Sequence, residues 1–131
     1  MWADFVERHS RRNGTFTCRL RMEVGSFDKL LEIIREDLEV DQDMAANLRG
    51  GPIIPELCLF CTIWWLAGGS YLDIVDITGI SVSSFYRIVW TTCKALSESP
   101  RLQLKLPETS EECELAAAGF RSISYKGAIP N

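Results

Sequence analysis

The 131 residues, 47% apolar and 24% charged, fit one globular domain with little room for two, and neither disorder nor a fibrous repeat has this composition. A formal net charge of −4 argues against a protein that coats nucleic acid by bulk attraction. The longest apolar run, 57–69, falls short of the ~20 residues needed to span a bilayer.

The mean charge hides a division. Residues 1–22 carry five arginines against two acids, net +3, whereas 23–80 carry three bases against eleven acids, net −8. Residues 81–106 return to +3 and 107–131 fall to −2. Two basic strips thus flank an acidic block, the asymmetry that a local nucleic-acid contact needs and that a mixed soluble surface also shows.

Met1, Trp2, Ala3 and Asp4 place an acid early and no apolar segment behind it, so no signal peptide is expected. The five cysteines (Cys18, Cys58, Cys61, Cys93 and Cys113) then read as reduced thiols of the nucleus or cytoplasm. Residues 1–15 form a basic arm holding Arg11 and Arg12, which ends at the turn dipeptide Asn13-Gly14. From Phe16 the chain alternates apolar and polar residues through Cys18, Leu20, Met22 and Val24, which predicts an extended segment. Leu102, Leu104 and Leu106 alternate in the same way, so the two stretches are expected to pair as a minor ribbon, marginal in isolation.

A helix is predicted next. Ser26 is its N-cap, and Phe27, Leu30, Leu31, Ile34 and Leu38 recur at helical spacing. Its acids run on through Glu36, Asp37, Asp41 and Asp43 without calcium-loop spacing, which reads as a solvated face. Gly50-Gly51-Pro52 breaks the chain. Pro55 at N1 and Glu56 in the first turn open a helix that is apolar nearly all round, the expected centre of the core, closed by Gly68-Gly69. Cys58 and Cys61 form a Cys-x-x-Cys with no second ligand pair, and read as core thiols.

Residues 70–97 read as a helix-turn-helix. Ser70 caps a short helix with Asp73 at N3, Gly79 supplies a left-handed stop, and Ser81 caps a second helix with Ser84 at N3. Val82, Phe85, Ile88, Val89, Thr92, Cys93 and Leu96 fall on the inner side of that helix. Ser83, Arg87, Thr91 and Lys94 fall on the outer side, with Trp90 beside them and Tyr86 at the border. The outer side carries no acid. In such a motif the second helix enters the major groove of double-stranded DNA. Ser83 and Arg87 then face base edges, Arg87 matching guanine in a bidentate manner. Ser81 and Ser84 meet phosphates near the helix N-terminus, and Lys94 lies nearer the backbone. Arg11 and Arg12 are placed to add arm contacts, or to act as an import signal. An ordinary helical hairpin with a polar outer face has the same spacing. Beyond it, Glu108, Glu111, Glu112 and Glu114 sit on a last helix capped by Thr109 or Ser110, expected to pack through Leu115 and Ala118.

Leu66-Ala67-Gly68-Gly69-Ser70-Tyr71-Leu72-Asp73-Ile74, followed by Gly79-Ile80-Ser81-Val82-Ser83-Ser84-Phe85-Tyr86-Arg87, resembles the region ahead of the catalytic domain in Harbinger (PIF-type) transposases and the nucleases derived from them. Arg21-Met22, Phe27-Asp28-Lys29-Leu30-Leu31, Ile54-Pro55-Glu56, Leu106-Pro107 and the stretch from Gly119 to Ile129 resemble flanking pieces of the same region, in order. The resemblance implies a parent enzyme with a ribonuclease-H-like DDE nuclease domain, whose three carboxylates hold divalent metal such as magnesium. The family's first catalytic aspartate would follow soon after Asn131, and no aspartate occurs after Asp76. The expectation is therefore a truncated fragment with no catalytic residue of its own, inactive alone.

The fold expected is mainly α. It comprises a basic flexible arm over 1–15 and a small helical DNA-binding domain over 16–118. Residues 119–131 open the truncated nuclease domain, with Gly127-Ala128-Ile129 as its first strand. The leading functional expectation is a module that positions transposon-end DNA. The alternative is a protein-interaction module that docks a Myb-like partner, known for this family, through the acidic block 23–43. The third is nuclease activity carried over from the full-length family. No membrane or small-molecule partner is expected, and no cofactor in this chain.

Overall fold

A helix that is apolar on every side must be wrapped by others, and that requirement organises this chain. The computed structural model describes residues 14–39 and 53–124. They hold six α-helices and no strand: α1 (Thr15–Leu20), α2 (Val24–Leu38), α3 (Pro55–Leu66), α4 (Tyr71–Thr78), α5 (Val82–Glu98) and α6 (Ser110–Ile123), with a 3-10 turn at Pro100–Leu102. α1, α2, α4 and α5 all pack on α3, which buries Leu59, Phe60, Cys61, Thr62 and Trp64. The predicted mainly helical domain is the fold observed.

Pro55 occupies the first turn of α3, where a missing N–H leaves no hydrogen bond unmade, and Glu56 lies beside it. Across the base of the core, the Arg35 guanidinium of α2 donates to Glu56 Oε1 at 2.5 Å and also lies 3.8 Å from Glu39. Both ends of the first pair are partly exposed, so it contributes less than about 1 kcal/mol. Apolar packing dominates instead. Phe16 meets Phe27 edge-on at 5.3 Å and lies 5.9 Å from Phe60, which meets Trp64 at 5.6 Å. Burying each such ring is worth about 1.5–3 kcal/mol.

The expected extended segment from Phe16 is helical. Phe16 and Leu20 are both buried, four residues apart on one face of α1, while Cys18 between them is exposed. Apolar residues at 16, 18 and 20 fit period 2, but 16 and 20 also share a helix face, and tertiary burial of those two selects the helix. Left-handed residues frame this short turn, Gly14 at φ +63° and Arg21 at φ +51°. The partner stretch does not pair either. Leu102 closes the 3-10 turn, and Leu104 and Leu106 stand exposed in the extended linker beyond it. No ribbon exists among the described residues.

Two other boundaries differ. α2 begins at Val24, with Glu23 at its N-cap and no side-chain cap bond, so Ser26 lies inside the first turn. α6 does not pack through Leu115 and Ala118: none of its residues is buried. It is nonetheless well formed, because Thr109 Oγ1 accepts from the Glu112 N–H while Glu112 returns a carboxylate oxygen to the Thr109 N–H. The helix continues through Gly119 to Ile123, and residues 127–129 lie outside the described residues.

Candidate nucleic-acid interface

Four short signals position the helix-turn-helix. Gly68 takes φ +97° at the end of α3, and the Gly69 N–H donates to Trp64 O at 2.9 Å. Ser70 caps α4, its Oγ accepting from the Leu72 N–H at 3.3 Å, one residue short of the predicted Asp73. Gly79 ends α4 at φ +73°, donating its N–H to Val75 O at 2.9 Å. A side chain in that conformation would cost about 1–2 kcal/mol, which explains glycine there. Ser81 then caps α5, its Oγ accepting from the Ser84 N–H at 3.2 Å and donating to the Ser84 hydroxyl oxygen at 2.8 Å. Its Oγ also lies 3.1 Å from Ser83 Oγ.

The two helices lock together through side chains at the turn. Ile74 of α4 and Phe85 of α5 are both fully buried. Tyr71 lies 6.3 Å from the Phe85 ring and 5.9 Å from Tyr86, and Trp65 at the end of α3 meets Phe85 edge-on at 6.5 Å. Farther along α5, Ile88, Val89, Thr92 and Ala95 are buried. Cys93 and Leu96 are only half-buried, and Ala95 takes the inward place beside them. Val82 was expected inside but is 43% exposed, since it occupies the first turn ahead of Phe85.

Opposite this anchored side lies one continuous exposed face. Ser83, Tyr86, Arg87, Trp90, Thr91 and Lys94 all stand in solvent, spread over roughly 17 Å of helix axis. Tyr86, expected at the border, and Trp90, expected to one side, are both exposed. In the structure Trp90 is 76% exposed, the most exposed aromatic on the helix. Its signal was its spacing, three residues after Arg87 and four before Lys94. Neither cation is ion-paired with any described residue. Arg19 is placed otherwise: its guanidinium sits 4.8 Å over the Trp64 ring at the edge of the core. Arg11 and Arg12 lie outside the described residues.

Other candidate groups have simpler surroundings. Burial pushes the Cys58 thiol up to about 11 and the Cys61 thiol to about 12, so both stay protonated at neutral pH. They are core thiols. Glu36 and Asp37 are exposed on α2, while Asp41 and Asp43 lie outside the described residues. Among the described residues no three His, Cys, Asp or Glu side chains converge into a group that could hold a metal ion. No described helix is long and apolar enough to cross a membrane. No protein-family model, curated protein or solved structure matches the chain.

Proposed function

We propose that the chain is a DNA-binding module that lays α5 in the major groove of duplex DNA, as the N-terminal part of a Harbinger-type transposase would at transposon ends. The observation that carries this reading is the outer face of α5: exposed, free of acids from Ser83 to Lys94 with Glu98 one turn beyond, and fixed by an inner face that is buried from Phe85 to Ala95. Ser83 and Arg87 address base edges from the first two turns. Lys94 neutralises a phosphate farther along, and the capped serines at 81 and 84 approach the backbone near the helix N-terminus.

The geometry also sets the strength. A single helix with two free cations neutralises few phosphates, and each contributes only about 0.9 to the salt slope. Binding is therefore weak at physiological salt unless a second module assists. Arg87→Ala should cost about 1–3 kcal/mol and relax base preference at one position, whereas Lys94→Ala should lower the salt slope by about one with base preference kept. Fluorescence anisotropy with duplexes over a salt series separates these effects. Affinity and slope unchanged by both substitutions would overturn the role of α5.

A further inference from the structure

The region after Leu102 is built as an arm. Residues 103–123 are exposed throughout, with Leu104 at 99% and Leu115 at 74%. A lone 14-residue helix is marginal in water, and α6 nevertheless carries a complete capping box and an apolar complement of Leu115, Phe120 and Ile123. Such a helix has its free-energy minimum against another surface. We propose that this surface is the outer face of α5 in a second copy of the chain.

Charge selects that face. α5, residues 82–98, holds Arg87 and Lys94 against Glu98 in its last turn, a net +1 with no acid between the two cations, whereas 103–124 hold Lys105 and Arg121 against Glu108, Glu111, Glu112 and Glu114, a net −2. Glu112 is occupied by the N–H groups of Glu108 and Thr109; Glu108 precedes the helix, and Glu111 and Glu114 are the acids of α6 that remain to face a partner. Those two acids and Leu115 recur at i, i+3 and i+4 on one side of α6. Arg87, Trp90 and Lys94 recur at i, i+3 and i+7 on α5, with the exposed indole between the two cations. Leu115 packs on Trp90 while Glu111 and Glu114 pair with the flanking cations. A second copy both donates an arm and receives one, giving a closed two-fold dimer. With two arms and two receiving faces, each surface needs to bury only about 400 Å² to reach the roughly 1,600 Å² of a standard interface. The same docking covers the side chains assigned to DNA; that consequence rests on the DNA reading, while the self-association does not.

Sedimentation velocity of the full chain over a range of protein concentrations tests the dimer directly. Wild type should show a concentration-dependent dimer that weakens with salt. Glu111→Lys with Glu114→Lys should raise its Kd at least about tenfold, and Arg87→Glu with Lys94→Glu should do the same. All four positions are exposed, so circular dichroism should report both variants folded. Mixing the two variants should restore a heterodimer, because basic arms then meet acidic helices and the reverse. A wild type that stays monomeric at every concentration would overturn the proposal, as would a dimer that survives both reversals, or two folded variants that fail to associate with each other. None of these readings involves DNA, so they stand apart from the test of the DNA reading.

Discussion

Thr62 and Thr92 are both fully buried, and they differ in one bond. The Thr62 hydroxyl donates to the Cys58 carbonyl at 2.8 Å, one turn back in α3. The Thr92 hydroxyl on the inner side of α5 has no partner among the described residues. A buried polar group left without a partner costs about 1–3 kcal/mol, whereas an apolar group of the same shape carries no such cost. Thr92→Val should therefore raise stability by about 1 kcal/mol, and Thr62→Val should not, since it removes a bond already made. Urea unfolding midpoints of the two variants check this. A Thr92→Val midpoint at or below wild type would contradict it. The threonine has no role on the outer face, so the same variant should leave the cations of α5 where they are.

At the scale of elements, the legible parts were those set by neighbours in sequence. Pro55 at N1, the Gly79 stop and the serine caps at 70 and 81 fix α3, α4 and α5 through bonds spanning four residues or fewer, and the helix-turn-helix follows from them. The outer face of α5 was legible for the same reason, because a 17-residue helix makes sidedness a matter of counting. What failed depended on distant contacts. α1 is helical because Phe16 and Leu20 find the Phe60 side of α3, which alternation alone cannot register. α6 stands free although its pattern resembles a packed helix, since amphipathicity specifies a face and not its partner. The turn from α3 into α4 holds a further constraint invisible in sequence. A Cβ on Gly69 would fall 2.5 Å from Trp64 Cδ1 and 2.9 Å from the Trp64 carbonyl oxygen. Gly69→Ala should thus destabilise by about 1–3 kcal/mol through displacement of the indole from Phe60 and Arg19. Thermal melts monitored by tryptophan fluorescence should show a lowered midpoint together with an altered native spectrum. Unchanged melts would mean that the turn yields without moving the ring.

At the scale of the molecule, the buried apolar side chains of the described residues run from Phe16 to Ala95 and none belongs to the arm. Stability and the arm are therefore separable. Gln103 still belongs to the body, because its side-chain amide donates to the Ser97 and Ser99 carbonyls at 3.1 and 3.4 Å. Truncation after Gln103 should remove the α6 contribution to the far-ultraviolet dichroism yet shift the unfolding free energy of the dilute monomer by no more than about 0.5 kcal/mol, as expected for changes that touch no buried group. The denaturant slope should also change little, since it follows the area exposed on unfolding and the arm is already exposed. Protein concentration then distinguishes the two chains. Association with a second copy stabilises the native state by mass action, so the full-length midpoint should climb with concentration while the truncated one stays level. If truncation instead lowers the unfolding free energy of the dilute protein by several kcal/mol, the arm packs on its own body in solution, and both the separability and the proposed dimer fall together.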